Sequence, residues 1–304
     1  MALLDLIIIG AGPAGMTAAI YAKRKGLSLI LMSDSVGGQV IRTGDVENYP
    51  GYGKIAGPQL VSVIKKQMED LKIDIILSRV SKIVPKGDIF DVTAVDGRSF
   101  TSRAVIIATG SHWRELNVPG EQEFKNKGVS YCTTCDAPLF SGMDVAVIGG
   151  GNSAAEAVMD LLNFCPRVYL IVRSTLKADK MAVDRIMESG KVTLYAGYNV
   201  NKINGNDFVE SIDIVSSAGE PKTLNVGGIF IEIGQVPNVS FARDLVNLNQ
   251  GGEIVTDDYC NTSVKGIFAC GDVTDVPQKQ IIIAAGEGAK AAMSAFSYIS
   301  KLRL

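Results

Sequence analysis

Hydrophobic residues in this chain come in short unbroken runs, each closed by glycine. "LLDLIII" at 3–9 is almost wholly apolar and leads directly into "GAGPAG" at 10–15. A run of that length, bounded by a glycine turn, reads as a strand buried on both faces, as strands of a parallel sheet are. Helical spacing follows over 13–25, and "SLILM" at 28–32 reads as a second strand. A helix is expected near 57–71, where Leu60, Ile64, Met68 and Leu71 share one face. After it comes a meander of strands at 73–77, 80–84, 89–95 and 98–100, turned by Asp96-Gly97.

The opening pattern then recurs. "MDVAVIG" at 143–149 precedes "GGGNSA" at 149–154, a helical stretch to about 164, and the strand "VYLIV" at 168–172. Each copy later reaches an apolar strand ending on glycine, "AVIIATG" at 104–110 and "GIFIEIG" at 228–234. A hairpin at 209–226 turns through "SSAGEP". "GIFACGD" at 266–272 and an amphipathic helix over 280–302 match the first copy better than the second. The expected fold is therefore α/β: two Rossmann-like, three-layer dinucleotide-binding domains, the second inserted into the first. Residues 1–114 and 248–304 form one domain, 118–243 the other, with hinges at 114–118 and 243–248.

A lone G-x-G-x-x-G means little, but each copy here follows a strand and opens a helix. Gly10 and Gly149 permit the tight turn, and Gly12 and Gly151 let the backbone approach a pyrophosphate. Gly15, or Ala154 in the second copy, lets helix pack close to strand. Phosphates are expected at the helix openings, Pro13–Ala14 and Asn152–Ser153.

Composition narrows the partners. The chain has 304 residues, 47% hydrophobic and 20% charged, with net charge −2. Its longest basic run, Lys23-Arg24-Lys25, falls at a helix end where cations suit the dipole, so no nucleic-acid partner is expected. The apolar runs are too short to cross a membrane and no secretory signal opens the chain. Five cysteines without dense regular spacing point to the cytoplasm, where a disulfide is more often catalytic than structural.

Two of those cysteines stand together in "SYCTTCDAPLF" at 130–140. Zinc requires four ligands, and the chain offers one Cys-x-x-Cys and one histidine, His112. The same single histidine removes a Ser-His-Asp or Cys-His apparatus. Cys165, Cys260 and Cys270 read as small buried apolar residues. A redox pair and an inert pair remain as the two readings of Cys132 and Cys135.

With these pieces placed, the chain resembles the low-molecular-weight thioredoxin reductases, and is closer still to the reductase portion of the alkyl hydroperoxide reductase flavoprotein. The motifs that carry this, besides the glycine turns and the cysteines, are GGQ (37–39), VENYPG (46–51), IIATG (106–110), IGQVPN (233–238) and CGDVTDVPQKQIIIAAGEGAKAA (270–292). The resemblance implies FAD in the first site, with Gly10, Gly12, Pro13, Ala14 and Gly15 along its pyrophosphate. Asp34, Gly38, Gln39 and Asn48 would line the ribose and ring, while Ser33, Val80, Thr109 and Gly110 extend the set. At the other end Gly271 and Asp272 would meet the cofactor, with Gln280 and Ile281 near the flavin. Cys132 is then the sulfur that attacks a partner, Cys135 the one against the flavin, and Asp136 the proton carrier. The residue after that aspartate is usually glycine in the family and is Ala137 here.

The family rotates one domain against the other to present the pair to its partner, and its members are homodimers. The hydroperoxide reductase flavoprotein has a thioredoxin-like segment ahead of its reductase portion. This sequence begins on the first strand, so electrons are expected to pass to a separate disulfide protein, thioredoxin or one like it. For the donor, NADPH-linked members carry a His-Arg-Arg cluster and the NADH-linked one a glutamate after the second strand. Here Val172 replaces the acid, and Gly149, Gly151, Asn152 and Ser153 are joined by Arg173 and Lys177. These residues favour NADPH, weakly; NADH, reduced ferredoxin or a deazaflavin are the alternative donors. The rival class is a flavoprotein oxidase or binding protein with a vestigial cysteine pair.

Overall fold

Every residue of the strand Leu4–Ala11 after the first is buried in the computed structural model, which describes residues 3–303. The strand pairs in parallel with Leu29–Val36 on one side and Ser99–Ile107 on the other. Asp74–Leu77 extends the sheet beyond Leu29–Val36, and Ile267–Ala269 adds in parallel to the far end of Ser99–Ile107. The first half of that same strand pairs antiparallel with Ile89–Ala94, which in turn pairs with Val80–Lys86. The separate strands expected at 98–100 and in "AVIIATG" are thus one. The polar Thr101-Ser102-Arg103 between them reads as a break, but Ser102 is buried and its hydroxyl donates to Ala104 O (2.7 Å).

Two helices pack together on one face of this sheet. Pro13–Arg24 begins with proline, whose missing N–H costs nothing in the first turn. Ile281–Leu302 crosses it so closely that a Cβ on Gly288 would collide with Ala14 O. The opposite face buries Ile7, Ile9, Val92, Val105 and Ile107 with Val239, Ala242 and Val246.

The second sheet is wholly parallel, in the order Val129–Ser130, Gly228–Ile231, Val145–Ile148, Val168–Val172, Val192–Ala196. The helices Asn152–Leu161 and Lys180–Glu188 cover one face. An antiparallel sheet of Tyr198–Gly205, Val209–Ser216 and Pro221–Asn225 supplies apolar residues to the other. Each domain therefore has the three-layer α/β build that the hydrophobic pattern implies.

The chain divides into two compact units, 1–112 with 236–304, and 113–235. The second crossing lies before the expected 243–248, and the first just ahead of 114–118. The reason is packing: Val239, Ala242 and Val246 belong to the first unit's core. Asn238 is tied to the same unit by Nδ2 donating to Thr109 O (3.0 Å) and by Thr109 Oγ1 donating to its carbonyl (2.6 Å). Among the described residues no helix is long and apolar enough to cross a membrane.

Candidate active site

In both units the chemistry-bearing residues gather at the carboxyl ends of the parallel strands, where ligands bind in open α/β sheets. In the first unit the glycine turn 10–15 is as tight as its spacing implies. A Cβ on Gly10 would strike the Ala108 carbonyl, and one on Gly15 the Gly10 carbonyl. One on Gly12 would meet nothing closer than Gly38 Cα (3.9 Å), so the turn stays open where a phosphate would approach. Met16 N donates to Gly12 O (2.9 Å), which closes the first helical turn.

Of the other expected residues, some pack on this turn and others are bonded among themselves within the same unit. Gly37 N donates to Ala11 O (2.7 Å) and brings Gly38 over Gly12. Gln39 Nε2 donates to Ser111 O (2.9 Å), and Asn48 Nδ2 to Gln280 Oε1 (3.2 Å), joining positions far apart in sequence. Asp34, after Ser33 near the end of its strand, is exposed and accepts from Arg79 (3.2 Å). Val80 is buried just beyond that arginine, and Gly110 O accepts from Asn238 N (2.9 Å). Gly271, at φ 74°, packs on Ala14 and donates its N–H to Glu287 Oε2 (2.8 Å). Asp272 beside it is pushed up in pKa by burial and by Glu287, against the pull of Lys279. A glycine-lined opening next to a partly desolvated carboxylate is a cradle suited to a dinucleotide bearing hydroxyls, so these residues fit FAD. Ile281 opens the helix beside them. Glu287 and Arg79 are additions that the sequence does not announce: the first lies inside a motif read only as a whole, and the second precedes a strand with nothing to mark it.

The second turn repeats the geometry in looser surroundings. A Cβ on Gly149 would collide with Glu232 O, while Gly151 has open space around it. Lys177 N donates to Gly150 O (2.6 Å), folding the loop after Val168–Val172 back over the turn. Asn152 is held by Asp179, whose N–H donates to Asn152 Oδ1 (2.8 Å) and whose carboxylate accepts from Nδ2 (3.1 Å). Ser153, Arg173 and Lys177 are exposed. The structure thus sets both cations on a loop bound to the phosphate turn.

The redox pair sits at the same edge of the second sheet. Cys132 follows the strand Val129–Ser130 and precedes the short helix Thr133–Asp136. Cys132 and Cys135 form a disulfide, with Cα atoms 5.3 Å apart. Backbone bonds fix the loop: Cys135 N and Asp136 N both donate to Cys132 O (3.2 and 3.1 Å). The Ser130 hydroxyl donates to Asp136 Oδ2 (2.6 Å) and accepts from Cys132 N (3.1 Å). Burial pushes the Asp136 carboxyl up, partly offset by the Ser130 bond. On the other side Thr133 Oγ1 donates to Glu232 Oε1 (2.9 Å), a contact no sequence motif announces. Glu232 is pushed up to about 7, chiefly by burial and also by Glu156 and Asp160.

The remaining candidates carry no such chemistry. Cys165, Cys260 and Cys270 are buried thiols, and burial raises all three, Cys165 to about 11 and Cys260 to about 12. His112 Nδ1 bonds Asn238 Oδ1 (2.9 Å), which ties it to the first unit. Among the described residues no group of three or more His, Cys, Asp or Glu is arranged to hold a metal.

Residues 4–289 match the pyridine nucleotide-disulphide oxidoreductase family. The chain belongs to this family. Within it the likeness is to the low-molecular-weight thioredoxin reductases. A thioredoxin reductase from Streptococcus pyogenes MGAS5005 superposes with a TM-score of 0.94 at 39% identity, covering 99% of both chains. One from Giardia duodenalis gives 0.93 at 32% identity, covering 99% of this chain and 100% of that one. The F component of the alkyl hydroperoxide reductase of Escherichia coli (strain K12) is 41% identical over 98% of this chain and 59% of its own length. A Bacillus subtilis (strain 168) protein named NADH dehydrogenase is likewise 41% identical, over 97% of this chain and 58% of its own. The chain thus spans about three-fifths of the curated relatives it matches. Membership in the family implies FAD and a pyridine nucleotide.

Proposed function

We propose that the protein is an FAD-dependent disulfide reductase that passes electrons from a reduced pyridine nucleotide through Cys132–Cys135 to thioredoxin or a thioredoxin-like protein. The observation that carries this reading is the disulfide at the strand-end edge of the second parallel sheet, its loop bonded through Ser130 to the half-buried Asp136. The first glycine turn with Asp272 would hold FAD, which would supply two-electron transfer between nucleotide and disulfide.

The chain's own residues do the rest. Once the pair is a dithiol, the Cys132 thiolate attacks a sulfur of the partner disulfide. This forms a mixed disulfide and releases one partner sulfur as thiolate. Asp136, whose carboxyl burial pushes up, is the group placed to supply a proton to it. Cys135 then attacks Cys132 Sγ, re-forms the internal disulfide and releases the second partner sulfur. Two electrons move to the partner, and no external reductant enters this half. Ser130 orients Asp136 while holding the Cys132 amide, so acid and sulfur keep their spacing.

NADPH is the donor these residues favour, because Arg173 can pair with a 2′-phosphate and Val172 offers nothing to a ribose diol. Assembly as a homodimer and residence in the cytoplasm complete the proposal. The test is an anaerobic titration followed by a donor panel. Uptake of four electrons per FAD supports a working disulfide, and two electrons favours the oxidase or binding protein with a vestigial pair. NADPH, NADH and reduced ferredoxin, each with thioredoxin as acceptor, then decide the donor; activity with ferredoxin alone overturns the nucleotide assignment.

A further inference from the structure

Glu232 stands where two parts of the second unit meet. It follows the strand Gly228–Ile231, and its backbone is fixed against the phosphate turn: its N–H donates to Ile148 O (2.8 Å), and its carbonyl would be struck by any Cβ on Gly149. Its side chain turns to the redox loop. Oε1 accepts the hydroxyl of Thr133 (2.9 Å), and the Thr133 backbone amide also bonds the carboxylate. Thr133 directly follows Cys132 and is only 4% exposed, so this is a buried grip on the residue next to a reacting sulfur.

The charged groups that act on this carboxyl are all acids. From the helix Asn152–Leu161 come Glu156 and Asp160. The redox helix contributes the uncharged Thr133; Asp136, at its other end, is bound to Ser130. Among the described residues no lysine or arginine makes an ion pair with Glu232. The carboxyl is therefore poised to change charge near neutrality, at about 7. As a carboxylate it accepts both Thr133 hydrogens and repels a thiolate forming nearby. As a neutral acid it loosens that grip and removes the repulsion.

We infer that Glu232 is a positioning residue for the Cys132–Cys135 pair: its carboxyl fixes the loop through Thr133, and its charge state sets how readily the reduced pair reacts. The inference rests on the disulfide-reductase reading. Glu232 adds no redox step of its own; it gains or loses one proton from solvent while the pair cycles between disulfide and dithiol.

The holoenzyme, reduced anaerobically with dithionite, provides the test. Electron uptake is measured first, and an uptake of two electrons per FAD overturns the parent reading and this inference together. With four taken up, the rate at which iodoacetamide alkylates Cys132 and Cys135 is followed by mass spectrometry as pH is varied. The unmodified protein should show an inflection near pH 7 besides that of the thiols. Glu232→Gln keeps an acceptor for Thr133 but cannot ionise. It should lose this inflection and react roughly threefold faster on the alkaline side, where the wild-type carboxylate opposes the thiolate. Thr133→Val leaves the glutamate in place and removes one bond to its charged form, so the inflection should move to higher pH. Superimposable profiles for wild type and Glu232→Gln, or an inflection unmoved by Thr133→Val, overturn the inference while leaving the disulfide reading standing.

Discussion

The two glycine turns are nearly the same object in different company. In each, the first glycine is locked against a carbonyl, Ala108 O for Gly10 and Glu232 O for Gly149, and the second stands open. Around the first turn the neighbours close in: Gly38 lies over Gly12, Gly271 packs on Ala14, and Glu287 holds the Gly271 amide. Around the second, the loop bearing Arg173 and Lys177 folds back on one backbone bond and the exposed Asn152–Asp179 pair. The first arrangement suits a ligand that stays, the second one that comes and goes. The turn is common to both units; what surrounds it differs.

The largest effect should fall on the sulfurs, which belong to the second unit. Cys132→Ser and Cys135→Ser should each abolish turnover with thioredoxin, since exchange needs both an attacking and a resolving sulfur. Stopped-flow measurement should show flavin reduction by the donor surviving in Cys132→Ser. Next come the turns themselves. Gly10→Ala and Gly149→Ala should each cost about 3 kcal/mol or more, because a carbonyl cannot yield to the new methyl. Gly151→Ala, with open space around it, should change the melting temperature little while weakening nucleotide binding. Equal losses from Gly149→Ala and Gly151→Ala would erase the distinction between locked and open positions.

Asp136→Asn should slow thioredoxin reduction about 10²-fold, the usual scale for a lost general acid. Stability should carry a mark of the second unit too. Glu232 binds its proton more tightly folded, at about 7, than its ordinary 4.5, so between those values the native state holds more protons than the unfolded one. Its contribution to stability therefore falls as pH rises through that window and is level above it. Urea unfolding of wild type against Glu232→Gln should show a pH-dependent difference of about 2 kcal/mol, reduced by solvent screening. The smallest effect belongs to Arg173→Ala. One exposed contact with a 2′-phosphate is worth about 1 kcal/mol, so KM for NADPH should rise less than tenfold, and less again in high salt. An unchanged value would move the phosphate contact to Lys177.

What is legible in the sequence follows physical lines. The buried parallel strands and both turns can be read because a strand covered on both faces tolerates only apolar residues, and a tight turn only glycine. The cysteine pair is legible through its spacing, and it closes as a disulfide. The helix Lys180–Glu188 goes unmarked because it buries fully only Ile186, and Val192–Ala196 because none of its residues is fully buried. The second crossing is misplaced because the residues after it, Val239, Ala242 and Val246, have no turn signal to show which core they join. Glu232 is out of reach for another reason. Its role depends on Thr133, 99 positions away, and such a pairing leaves no local pattern.

The interleaving of the chain has a consequence for how the molecule is made. Residues 113–235 are continuous, so the unit with the cysteines can close while later residues are still being synthesised. The other unit must wait. Its sheet lacks Ile267–Ala269, and the outer side of Pro13–Arg24 lacks Ile281–Leu302, until the residues beyond 235 have followed. The sulfur-bearing unit can therefore fold ahead of the one whose first glycine turn is packed against Ile281–Leu302.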